Sequence, residues 1–304
     1  MSVVCDSLLL ATVLLCAPFV LAQLRVETIT PTFTTIDVPG AVITNVLGIN
    51  TAGDVVGNYS AGSSAPSHGF LYSGGIFTFL DYPGQYTTIA YGINDSGVIS
   101  GSAFADDASN IVGFLYDQIT FTTIGAPGKA ATVVYGINSA GNVVGGEGTS
   151  LSSTKAFELR GARFKNITPP GTYLYAYGSG INNLGEVVGF TLNGSYANGF
   201  SYSGGKFHAI NFPGPTLMTL ALGVNDSEIV VGSYEGCNPS CADHAFIFMR
   251  GKYISFDYPG AVATFADGIN ASGQIVGSYT LDGTTFHGYV AAPITTVDAQ
   301  GMDW

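Results

Sequence analysis

The chain reads as an all-β protein, a six-bladed β-propeller of four-stranded antiparallel blades, and three observations predict it. First, Gly-Ile-Asn recurs at Gly48, Gly92, Gly136, Gly180 and Gly268, with Gly223-Val224-Asn225 as a close copy. The successive spacings are 44, 44, 44, 43 and 45 residues, and fixed periods of this size mark solenoids and propellers. Second, β-branched and aromatic runs alternate with Gly, Pro and Asn turn signals, and no helical periodicity intervenes. Third, charged residues are only 10% of the chain while Gly numbers 42 of 304. That charge density is far below the roughly 25% of an ordinary soluble domain and suits short strands and tight turns. A two-sheet sandwich is the competing architecture, but it would not require so regular a period.

Each repeat supplies its elements in a fixed order. The first strand is Phe33-Thr-Thr-Ile-Asp37, matched by stretches at 77–81, 121–125, 164–168, 207–211 and 253–257. It runs into a turn such as Tyr82-Pro83-Gly84, where Pro-Gly suits the centre of a type II turn. A second strand of small residues follows, as at 89–93, and Asn94-Asp-Ser-Gly97 reverses it. The third strand is clearest as Val55-Val56-Gly57. The fourth, as at 69–72, joins the next repeat's first strand through the two-residue turn Gly74-Gly75. Connections between third and fourth strands vary most, at 60–67, 104–111, 147–154 and 235–243. The Ala- and Gly-rich second strand belongs innermost, where large side chains would clash. The 33–37 strand then completes the sixth blade and closes the ring, which removes free edges. A partly similar stretch at 294–298 competes for that role or lies outside it.

The domain plan follows. Residues 1–22 read as a signal peptide: an apolar run from Leu8 to Ala22 ends Val20-Leu21-Ala22 before Gln23. It is too short, with Pro18 inside, for a comfortable membrane span, although no Lys or Arg precedes it. Residues 23–32 form an N-terminal segment, 33–292 the propeller and 293–304 a C-terminal tail. The mature chain is expected to be secreted, extracellular or periplasmic, with no integral membrane segment. A net charge of −12 excludes nucleic acid as a partner, because a phosphate backbone needs clustered positive charge.

His68, His244 and His287 occupy one repeat position, and the same copies carry Tyr59, Tyr234 and Tyr279 after the third strand. These copies are neighbours around a closed ring. The coincidence predicts a cross-strand Tyr–His contact, either as a packing pair or as a recognition surface. A three-His metal site is the third reading, and equivalent blade positions lie too far apart for it. Asp37, Asp81 and Asp257 precede the Pro-Gly turn and are expected to bond nearby backbone amides. Cys237 and Cys241, once the signal cysteines are gone, are expected to form a local disulfide. Lys155, Arg160, Arg163 and Lys165 read as a solvated hairpin. The sequence contains no Gly-x-Ser-x-Gly elbow, His-Glu-x-x-His helix or phosphate loop. No catalytic residue, metal or cofactor is therefore assigned.

The repeat resembles the bacterial extracellular HAF repeat family, defined by Gly-Ile-Asn-x-x-Gly-x-Val-Val-Gly and His-Ala/Gly-Phe elements. The second element stands here as His68-Gly-Phe70, His244-Ala-Phe246 and His287-Gly-Tyr289. Degenerate forms occur at Val112-Gly-Phe114, Lys155-Ala-Phe157 and Asn198-Gly-Phe200. The pattern is also similar to kelch-type propellers. The resemblance implies an exported protein and supplies no catalytic residues. The expected function is non-catalytic binding or scaffolding, with an extracellular glycan or protein recognised through variable loops on one face. Alternatives are an extracellular polysaccharide lyase or hydrolase using a Tyr–His pair, and a structural envelope or matrix protein.

Overall fold

Turn chemistry sets where each strand stops. In the computed structural model, which describes residues 26–28, 31–106, 110–150, 153–237 and 241–292, every regular element is a strand. The expected signal peptide and C-terminal tail lie outside the described residues. No helix among the described residues is long and apolar enough to cross a membrane.

Ile43–Ile49, Val55–Ser60, His68–Ser73 and Ile76–Leu80 pair antiparallel in sequence order. The same order starts again at Thr87–Ile93, Ala131–Ile137, Tyr175–Ile181 and Thr216–Val224. Ala263–Ile269, Ile275–Thr280 and His287–Ala291 begin one further run, which Phe33–Ile36 completes by pairing with His287–Ala291. The two ends of the chain thus share one sheet. Single parallel bridges such as Ala197↔Met218 join neighbouring runs into a 17-stranded sheet among the described residues. Val26–Thr28, within the segment left unassigned by sequence, adds a parallel strand outside Lys252–Phe256.

The inner strands touch in cyclic order, and Ala263–Ile269 meets Ile43–Ile49. The result is a β-propeller around a central channel. Glycine is obligatory where these strands converge. A Cβ on Gly48 would lie 2.7 Å from the Tyr91 carbonyl oxygen, and one on Gly180 would lie 2.7 Å from that of Leu222. The next residue but one, Asn, ties the ring together. Asn94 Oδ1 accepts from the Ser96 and Val98 amides, while its Nδ2 donates to the Asn138 carbonyl at 3.2 Å. Equivalent bonds run from Asn138 to Asn182, Asn182 to Asn225, Asn225 to Asn270 and Asn270 to Asn50. Each Asn therefore shapes its own turn, and all but Asn50, whose Nδ2 donates to Asp54, clip the neighbouring one.

The Pro-Gly crossovers are tight turns: the Ala41 amide donates to the Val38 carbonyl at 3.1 Å, with Gly40 at φ 82°. A buried threonine pins five of the crossovers, as Thr44 Oγ1 accepts from the Val38 amide and Thr88 Oγ1 from that of Tyr82, while Tyr175–Ile181 carries Ala176 at that position. Sequence reading missed this clip. The Phe of each His-x-Phe element is core: Phe70, Phe114, Phe157 and Phe246 are fully buried between runs. Two expectations need correction. Much of 147–154 and 235–243 is not irregular loop, because Val143–Ser150, Ser153–Arg160, Val230–Cys237 and Cys241–Met249 continue as paired strands. Cross-strand partners such as Glu147↔Lys155 extend the ladder into those stretches.

Candidate functional site

The crossovers, the ends of the third strands and the starts of the fourth strands all lie on one face. Tyr59 is directly opposite His68, Tyr234 opposite His244, and Tyr279 opposite His287. Their rings touch, with centroids 5.4, 5.2 and 5.2 Å apart. The aspartates do something the sequence did not suggest. In place of the expected bonds to backbone amides, Asp81, Asp257 and Asp37 each take the Nδ1 of the adjacent histidine at 2.9 Å. Each outer strand ends beside the start of the fourth strand, so antiparallel pairing delivers the carboxylate to the imidazole. The histidine side chains remain 36%, 32% and 29% exposed. With Nδ1 committed to the carboxylate, Nε2 is the nitrogen a ligand would meet.

The three trios form a continuous arc. Tyr258, next to Asp257, stacks on Tyr279 at 3.5 Å between centroids, and both hydroxyls lie within hydrogen-bond reach of Thr35 Oγ1. Val38, next to Asp37, packs in the same core cluster as Tyr59. The imidazoles do not gather at a point. Among the described residues, the one cluster of close metal-ligand atoms is Glu235 with Cys237 and Cys241. Those cysteines are joined to each other, so neither sulfur is a thiolate ligand. The disulfide closes the tip of the hairpin that carries Tyr234 and His244.

Electrostatics follow from these contacts. The Asp257 hydrogen bond holds the His244 imidazolium above its ordinary pKa, against a smaller opposing effect of burial. Burial raises the Tyr59 and Tyr234 phenols and pushes Tyr279 up to about 12. All three tyrosines are therefore neutral hydrogen-bonding groups at any physiological pH. The basic hairpin is engaged locally: Arg160 pairs with Glu158, and Lys165 Nζ donates to the Tyr202 hydroxyl.

No protein-family model and no curated protein matches the chain. Solved structures similar to it include AofleA from Arthrobotrys oligospora, with a TM-score of 0.55 at 11% identity over 86% of each chain. TolB from Acinetobacter baumannii gives 0.51 at 11% identity, covering 78% of this chain and 63% of that one. A gluconolactonase from Xanthomonas campestris gives 0.50 at 11% identity over 83% and 89%. At such identities the likeness is one of fold, the β-propeller.

Proposed function

We propose that this chain is a secreted, extracellular or periplasmic propeller of six four-stranded blades, of the HAF-repeat type, that captures a glycan without transforming it. The observation carrying this reading is the continuous arc of His–Asp–Tyr trios on the crossover face. The cyclic Gly approaches and Asn bonds support the blade count. Each trio presents an imidazole nitrogen and a carboxylate in a half-exposed setting, with a tyrosine ring packed against the imidazole, which suits a hydroxyl-rich ligand. Repetition matters as much as chemistry, since weak contacts on one rigid body reinforce one another when a ligand spans them. A Tyr–His acid–base pair is disfavoured, because a general base works best with a pKa near the operating pH and burial drives these phenols the other way. The Cys237–Cys241 disulfide suits an oxidising compartment.

A polysaccharide panel tests the proposal. Retention of a polysaccharide without new reducing or unsaturated ends is the expected outcome. Release of such ends would replace it with a hydrolase or lyase. Retention of no polysaccharide would overturn it in favour of a protein partner or an envelope role.

A further inference from the structure

We propose that the central channel binds a small organic cation of the quaternary ammonium class, held by the Asp267 carboxylate against aromatic walls. The inference is independent of the glycan-binding arc. Between the glycine ring and the crossover face lies a chamber of about 230 Å³, lined by Tyr91, Tyr135, Phe190, Phe265, Ser179 and Asp267 together with leucines. A cavity of roughly 150 Å³ already holds benzene, so a tetraalkylammonium group fits. Beyond the chamber the channel narrows to two spaces of about 80 Å³ at the glycine ring and the Asn turns. A ligand entering from the crossover face would stop beside Asp267.

Asp267 is the exception at its position. The equivalent residues are Leu47, Tyr91, Tyr135, Ser179 and Leu222, each immediately before the glycine of its repeat. No Lys, Arg or His lines the chamber, and among the described residues no donor bonds the Asp267 carboxylate. Burial alone therefore sets its titration, at about 7. Asp267 is half-buried and opens onto the chamber; a partly desolvated carboxylate without a partner is disfavoured, and a bound cation would offset that cost. The aromatic rings suit the same guest: Tyr91 and Tyr135 lie 4.5 Å apart between centroids, and ring faces attract a desolvated ammonium. The other ionisable groups facing Asp267 are phenols. Tyr91 is raised by burial to the point where it stays neutral, as are Tyr135 and Tyr289.

The test is a calorimetric titration with tetramethylammonium chloride, using sodium and potassium chloride at matched ionic strength as controls. Saturable binding is expected at pH 8. It should weaken about 30-fold at pH 5.5, the ratio of ionised fractions for a carboxyl titrating near 7. Asp267→Asn should abolish binding at pH 8, and Tyr135→Leu should weaken it at least about fivefold. His68→Ala, His244→Ala and His287→Ala should leave it unchanged. Thermal melts establish that the variants fold, and the pH contrast in the unmodified protein needs no variant. Wild-type affinity in folded Asp267→Asn, equal displacement by potassium, or no saturable binding up to on the order of 50 mM would overturn the proposal.

Discussion

At the scale of single residues, the histidines of the crossover face are defined by their carboxylate partners. His244 gains its raised pKa chiefly from the Asp257 hydrogen bond. Its contribution to stability is therefore fully present below the unfolded value near 6.5 and is lost as pH rises through the folded pKa. Replacing Asp257 with Asn should lower the His244 midpoint, read by NMR titration of the imidazole, and should abolish this part of the pH dependence of unfolding. An unchanged midpoint would contradict the assignment. The Tyr–His coincidence was legible in the sequence because both residues recur in the same copies. Their aspartates were not. Asp81 lies 13 residues beyond His68, but Asp37 lies 250 residues before His287, and only the strand order brings either pair together. Asp267 was equally hidden, since nothing in a linear reading marks one position of the innermost strand as facing the channel.

At the scale of elements, the tight reversals after each Gly-Ile-Asn follow one plan with one departure. The fourth turn residue is Gly53, Gly97, Gly141, Gly185 or Gly273, at φ between 76° and 87°, but in the fifth repeat it is Glu228 at φ 58°. A side chain in this left-handed region costs roughly 1–2 kcal/mol, part of which glycine gives back as unfolded-state entropy. Glu228→Gly should therefore stabilise the fold by about 0.5–1 kcal/mol. Urea unfolding would show a higher midpoint at constant slope, and a lower midpoint would contradict this account of the turn. The turns were the most legible elements, because Asn, Pro and Gly carry their backbone conformations with them. The extended hairpins at 143–160 and 230–249 were the least, because Gly-rich and polar stretches pair only once the neighbouring strand is in register.

At the scale of the whole molecule, the arc exists because the ring closes. The trios at His244 and His287 lie near the end of the chain and that at His68 near its beginning, and the pairing of Phe33–Ile36 with His287–Ala291 supplies Asp37 to His287 and brings the His68 trio beside them. The period of 44 made a ring expected; it did not reveal that Val26–Thr28 would extend the sheet beside Lys252–Phe256, since three residues carry no pattern of their own. The most direct measurement of the central claim is the affinity of the retained polysaccharide for a stepwise series: His244→Ala, then His287→Ala added, then His68→Ala added. Circular dichroism and thermal melting must show each variant folded. The arc predicts that affinity falls about tenfold or more with each trio removed, as linked contacts are lost one at a time, and that the triple variant retains no ligand. A folded triple variant that captures the polysaccharide with wild-type affinity would contradict it.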